Sequence, residues 1–344
     1  MGTTWSQFFP PKPTLTEANL PDQSGKVFIV TGGYSGVGLE LCKILYRANG
    51  KVYLAGRSET KAHAAISSIK SDTTTSSNSN SNSNSNSNSN PGTSTGEIIF
   101  LPINLDDLTT IKPAVQTFLS LESRLDVLFN NAGVSNPPQG SISPQGHELQ
   151  LATNCLGPHL LTQLLLPTLR QTARKEPPAS VRVIWLASIV VDTSAPPNGV
   201  NLDELLRPGG TSMNRNYENT KVGNWFLADD LAKRAGAGDD GILSVVVNPG
   251  NLRTNLTRHL PSWVPFLVAP LLHPPVMGAY SELWAGFSPE LTLKDGGKYI
   301  LPWGRVHPRP REDLVRAMRG REEGGTGDAG VFLRYCYDQI EEFM

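Results

Sequence analysis

Residues 26–38 constrain the fold more than any other stretch. KVFIVT is a short apolar run rich in β-branched residues, the pattern of a strand buried on both faces. It leads straight into a glycine cluster, TGGYSGVG from Thr31 to Gly38, and then into LELCKILYRANG. There Leu39, Leu41, Ile44 and Leu45 recur at helical spacing, with Gly50 as a stop signal. KVYLAGR, ending at Arg57, reads as a second strand, and SETKAHAAISSIK as a second helix with Ser58 at its N-cap. Strand, glycine turn, helix, strand is a βαβ unit, whose crossover is right-handed.

The rhythm continues. Glu97–Ile103, the run into the turn at Leu125–Gly133, Ser180–Ser188 and Ile242–Val247 read as strands. Leu108–Ser123, Glu148–Arg170 and Tyr217–Ala235 read as helices, the last closed by Gly236. Helical pattern returns at Pro275–Trp284 and Val331–Phe343. Such alternation predicts an α/β fold, a Rossmann-like doubly wound parallel sheet covered on both faces. Residues 71–96 interrupt it with a polar tract that includes seven consecutive Ser-Asn pairs, Ser77–Asn90. A segment with no apolar surface to offset ordering entropy is predicted to be disordered, and a surface loop accepts such an insertion at little closure cost. Residues 1–24 carry four prolines and little pattern. The expected organisation is an extension over 1–24, one domain over 25–320 and a C-terminal helix within 321–344 packed on it.

Charge narrows the partners. Thirty basic residues balance 31 acidic ones and form no basic run, which argues against nucleic acid. Cys42, Cys155 and Cys336 are an odd, scattered set that predicts buried free thiols, and six scattered histidines suggest no metal site. The N-terminus has no apolar core of signal-peptide length. Leu260–Val276, broken by five prolines, reads as an irregular apolar loop and not as a membrane span. A cytoplasmic protein is expected.

A strand that enters glycines and then a helix is a phosphate-binding arrangement, because the backbone can approach the ligand and the helix N-terminus offers free N–H groups. Gly32, Gly36 and Gly38 are spaced T-G-x-x-x-G-x-G. Arg57 ends the second strand where an acidic residue would bond the ribose hydroxyl of NAD; an arginine there pairs with the 2′-phosphate of NADP, which is therefore the favoured cofactor. Tyr217 and Lys221, four residues apart, share a helix face. A lysine ammonium stabilises a phenolate and lowers the tyrosine pKa, making the phenol a usable proton donor or acceptor. Ser188 ends a buried strand, where open α/β sheets place ligands, and Asn154 lies inside a helix where an amide is otherwise unhelpful.

Taken together, TGGYSGVG, NNAG (130–133), Asn154, Ser188, YENTK (217–221) and NPGNLRT (248–254), in that order over roughly residues 25–290, resemble the short-chain dehydrogenase/reductase family, most closely fungal members and the retinol-dehydrogenase-like branch. The resemblance implies that Tyr217 is the general acid/base, and that Lys221 lowers its pKa and bonds the nicotinamide ribose. Ser188 would orient the substrate oxygen and Asn154 support a proton relay. Val37 would contribute backbone within the glycine turn; Asn131, Ala132 and Gly133 would line the adenosine side; Pro249, Gly250, Leu252 and Thr254 would hold the nicotinamide end. Two departures stand out. Asn104-Leu105 replaces the family's Asp-Leu, keeping an acceptor but losing a charge. Tyr217 follows Ser188 by 29 residues, and the excess (PPNGVNLDELLRPGGT) is expected to form a loop over the site.

The implied reaction is hydride transfer between NADP(H) and a carbonyl or alcohol. Residues 255–284, with Trp263, Phe266 and Trp284, read as an apolar lid and so imply an apolar or aromatic substrate such as a secondary-metabolite intermediate. A face between copies of the chain, or a peripheral membrane contact, are the other uses of that patch. The competing classes are a non-catalytic NADP-binding regulator, a hydrolase, which would need a G-x-S-x-G elbow this chain lacks, and a sugar-nucleotide epimerase, whose glycines are spaced differently.

Overall fold

The computed structural model describes residues 3–78, 96–207, 212–236, 240–253 and 271–344. Within them the strands are β1 (Val27–Thr31), β2 (Lys51–Gly56), β3 (Glu97–Pro102), β4 (Val127–Asn130), β5 (Arg182–Leu186), β6 (Leu243–Val247), β7 (Tyr299–Leu301) and β8 (Arg305–Val306). They form one sheet in the order β3-β2-β1-β4-β5-β6-β7-β8, parallel through β7. Every residue of β1, β4, β5 and β6 is buried, which is why those runs are apolar without alternation.

Alternate side chains feed two cores. Val27, Ile29, Leu128, Val183 and Trp185 pack toward the helices Ile111–Leu121, Gly157–Ala173 and Met213–Ala235. Phe28, Val30, Phe129 and Ile184 pack toward Gly36–Arg47, Glu59–Asn78 and Pro275–Phe287. The C-terminal helix Ala329–Ile340 seats Phe332 against Gly223, where a Cβ would stand 2.6 Å from the ring. The three cysteines are buried free thiols. Strand order reverses between β1 and β4, and the crevice above that switch point, at the C-terminal ends of the strands, is where a doubly wound sheet binds its ligand.

Several expectations need correction. The sheet gains β7 and β8, three and two residues long and too short to show periodicity, and β8 runs antiparallel to β7. The second helix continues to Asn78, into the tract expected to be disordered from residue 71; residues 79–95 of that tract lie outside the described residues. The helix carrying Tyr217 starts a turn early, at Met213, with the Ser212 hydroxyl accepting from the Arg215 N–H. Helix Pro275–Phe287 begins at the residue where the helical pattern returns and runs three residues past Trp284. The excess expected to form a loop includes a single-turn helix, Leu202–Leu205, and another, Val190–Thr193, precedes it. No helix among the described residues is long and apolar enough to cross a membrane.

Candidate active site

Above the switch point lies a cleft of about 550 Å³. One wall is the glycine turn. Gly32 and Gly36 have φ of +68° and +56°, the left-handed region that glycine enters without strain. Gly38 does not line the cleft; it lets the turn close, since a Cβ there would stand 2.4 Å from Asn131 Nδ2 and 2.9 Å from the Gly32 carbonyl oxygen. Asn131 is committed to the same closure: its Nδ2 donates to the Thr31 carbonyl at 2.6 Å, and the Ala132 N–H donates to Thr31 Oγ1 at 2.9 Å. The NNAG turn thus braces the glycine turn as well as lining the cleft with Asn131, Ala132 and Gly133.

At one end of the cleft Arg57 lies on the surface, its Nη1 3.3 Å from Asp106 Oδ2. Ser58 and Lys61 line the same end, as do Asn104 and Leu105. Sequence reasoning missed Lys61 and Asp106. The signal for Lys61 was available, because it follows Arg57 by four residues across the strand–helix junction. Asp106 restores, two residues later, the carboxylate absent at Asn104, but spends it on Arg57.

At the other end, Ser188, Tyr217 and Lys221 converge with Pro249, Gly250 and Leu252. The Ser188 hydroxyl lies beside the Tyr217 phenol, close enough to favour its ionised form. Lys221 Nζ sits 5.4 Å from the Tyr217 ring centroid and donates to the Leu186 carbonyl at 3.0 Å. Tyr217 keeps an accessible edge, yet the cleft walls crowd its phenol: burial pushes the pKa up to about 12, against a smaller lowering by Ser188. The expected lowering by Lys221 is not among the causes of this shift, and Lys221 is itself sealed in. Burial pushes its ammonium down to about 8, with Cys155 and Glu282 pulling the other way. Without a cofactor the pair therefore holds a neutral phenol beside a weakened cation.

Asn154 lies in a π-helical turn, Ala152–Leu156, within the long helical run from Leu149 to Ala173. Such turns often mark functional sites. Its Oδ1 accepts from the Val134 N–H at 2.8 Å, and its Nδ2 donates to the Val134 carbonyl and to Thr220 Oγ1, both at 3.0 Å. Both amide hydrogens are used, so a relay through Asn154 has only the second lone pair of Oδ1. That oxygen and Lys221 Nζ flank Gly133, at 3.3 and 3.4 Å from where a Cβ would be. Val37 packs beside Leu252 around Gly278. Thr254, Trp263 and Phe266 lie outside the described residues. Trp284, expected in the lid, is instead a core residue, 3% exposed and packed on Gly304.

The comparisons agree with this architecture. A family profile described as short chain dehydrogenase matches residues 26–86 and 76–190. A short-chain dehydrogenase/reductase of Phomopsis amygdali is 46% identical over 99% of this chain and 97% of its own. Another, bet4 of Neocamarosporium betae, is 40% identical over 100% and 94%. Among solved structures, a Mycobacterium paratuberculosis protein superposes with a TM-score of 0.62 at 24% identity, covering 95% of this chain and 97% of that one, which is a likeness of fold. With the profile spanning the first half of the sheet and relatives matching end to end, the chain belongs to the short-chain dehydrogenase/reductase family, oxidoreductases that act on CH–OH and C=O groups with a nicotinamide cofactor.

Proposed function

We propose that this protein is an NADP(H)-dependent oxidoreductase that interconverts an apolar carbonyl compound and its alcohol, with Tyr217 as general acid/base. The observation that carries the reading is the convergence of Ser188, Tyr217 and Lys221 at one end of a cleft whose other end presents Arg57 and Lys61. The cleft suits a dinucleotide. Its wall is glycine where a Cβ would intrude, it opens onto the N-terminus of helix Gly36–Arg47, and its far end is cationic. Arg57, Ser58 and Lys61 would hold the 2′-phosphate, and Lys221, Pro249, Gly250 and Leu252 the nicotinamide end. When bound, the nicotinamide supplies or accepts the hydride.

The chain's own groups handle the oxygen and its proton. Ser188 donates to the carbonyl oxygen and fixes it beside the phenol. Tyr217, neutral in the resting cleft, delivers its proton to that oxygen. Lys221 stabilises the phenolate left behind, and Asn154, through Oδ1, accepts from the water or ammonium that returns the proton. Apolarity of the substrate rests on the leucine- and proline-rich run 255–270, with Trp263 and Phe266, next in sequence to the nicotinamide loop. The decisive experiment follows NADPH oxidation by the purified chain against a panel of aromatic and aliphatic ketones and aldehydes. Tyr217→Phe abolishes turnover while NADPH still binds. Full activity in that variant removes the acid/base assignment, and NADPH binding with no turnover on any carbonyl favours a regulator built on the same fold.

A further inference from the structure

Gln7 is 1% exposed although it belongs to a proline-rich N-terminal segment with no pattern of its own. Its side-chain amide is used at both ends. Nε2 donates to Asp192 Oδ2 at 2.7 Å, and Oε1 accepts from Asn248 Nδ2 at 2.8 Å. Asp192 belongs to the single-turn helix directly after Ser188. Asn248 opens the loop to Pro249 and Gly250, and its Oδ1 accepts from the Gly250 N–H at 3.0 Å. Asp192 Oδ2 also lies 3.0 Å from His307 Nε2. The Arg309 N–H donates to His307 Nδ1 at 3.1 Å, which places the ring proton of the neutral imidazole on Nε2, facing Asp192. The neighbours of Gln7 are tied down as well. The Ser6 carbonyl accepts from Arg305 at 2.8 Å, and the Phe8 carbonyl lies 3.3 Å from His273 Nε2, on the residue that bridges to Leu252.

We infer that Gln7 is a positioning residue: its amide sets the spacing between the turn that carries Ser188 and the Asn248–Gly250 loop, so that the N-terminal segment completes the nicotinamide end of the cleft. The inference rests on the cofactor reading above. Only an amide meets both demands, because Asp192 needs a donor and Asn248 needs an acceptor. Leucine leaves Asn248 Nδ2 without its acceptor and removes one of the two donors to Asp192, and glutamate sets an acceptor against Asp192. Displacement of either loop by about an ångström costs up to roughly 100-fold in rate, without touching the adenosine end.

The test separates the two ends with two probes, NADPH and 2′,5′-ADP, which lacks the nicotinamide. In Gln7→Leu, NADPH affinity is expected to fall about tenfold and kcat about 10- to 100-fold, while 2′,5′-ADP affinity stays within about twofold. Gln7→Glu gives a second arm: its ionised carboxylate cannot donate to Asp192, but its protonated carboxyl donates to Asp192 and accepts from Asn248 as the amide does, so NADPH affinity and kcat, each taken relative to the native chain at the same pH, recover as the pH is lowered from about 8 to about 5. That arm also decides the matter if Gln7→Leu does not fold. Unchanged NADPH affinity and kcat in Gln7→Leu, equal weakening of both probes, or no recovery of Gln7→Glu at low pH each overturns the inference. A native chain that binds neither probe overturns the cofactor reading, and this inference with it.

Discussion

Replacing Lys221 by methionine should make the protein more stable as it makes it inactive. The ammonium is 4% exposed, and burial pushes its pKa down from 10.5 to about 8. At about 1.4 kcal/mol per tenfold, that gap means the charged lysine costs the native state about 3 kcal/mol below pH 8. Methionine fills similar space without charge. The Leu186 carbonyl is not orphaned, because Asn224 Nδ2 also donates to it, at 2.8 Å. Lys221→Met is therefore expected to raise the unfolding free energy at pH 7 by about 1–3 kcal/mol. The sign of the pH dependence follows. Native Lys221 releases its proton near pH 8 and unfolded lysine near 10.5, so between them the unfolded chain binds more protons and the native enzyme gains on the variant. The buried thiols Cys42 and Cys155, pushed up by burial, act in the opposite direction above about pH 9, but they are present in both proteins and largely cancel in the difference. Urea unfolding followed by tryptophan fluorescence at pH 7, 8 and 9 measures the gap. A variant less stable than the native chain by more than about 1 kcal/mol at pH 7, or a gap that does not narrow with pH, refutes the reasoning.

Tyr217→Phe removes the proton that the phenol is proposed to deliver to the substrate oxygen, and a loss of about 10²- to 10⁴-fold in kcat is expected, with NADPH affinity, read by its fluorescence, within about threefold. Arg57→Glu replaces a charge-assisted contact with repulsion; NADPH binding should weaken about tenfold or more while NADH binding stays unchanged, as titration of both cofactors will show. Gly38→Ala drives a methyl group to 2.4 Å from Asn131 Nδ2, and either the amide leaves the Thr31 carbonyl or the turn opens. Denaturation should register a loss of about 1–3 kcal/mol together with weaker NADPH binding; native values for both would mean the turn yields without strain.

What could be read from the chain was what short-range pattern records. The βαβ opening, the six central strands and the grouping of Gly32, Ser188, Tyr217 and Lys221 follow from periodicity, glycine spacing and motif order, and each has its counterpart in the sheet and cleft. What escaped depends on contacts between distant residues. Tyr299 caps the Ser188 carbonyl with its hydroxyl at 2.7 Å from a three-residue strand, too short to announce itself. Gln7 reaches across 241 positions to Asn248, and nothing local to SQFFPP marks it as buried. Trp284 reads as part of a lid because it is apolar and follows apolar residues; helix Pro275–Phe287 instead turns it into the core. The pKa of Tyr217 belongs with these. Spacing shows that a lysine is near, but how far both groups are withdrawn from water depends on the whole cleft.

That withdrawal bears on how the pair works. Burial opposes charge on both side chains, raising one pKa and lowering the other, so the resting site resists the ion pair that catalysis needs. The resistance is what makes the two groups act together. With the Lys221 ammonium 5.4 Å from the centre of the Tyr217 ring, a phenolate there would be attracted to it in a cleft that screens charge poorly. In the reaction we propose, as Tyr217 gives its proton to the substrate oxygen, the same attraction would stabilise the phenolate and raise the proton affinity of Lys221. On that reading neither pKa of the resting cleft is the one that operates during turnover. At pH 7 the phenol is held neutral, while the ammonium keeps its charge at a cost in stability. In the proposed reaction a phenolate forms only when a substrate oxygen is present to take the proton, which would tie the activation of Tyr217 to the arrival of its substrate.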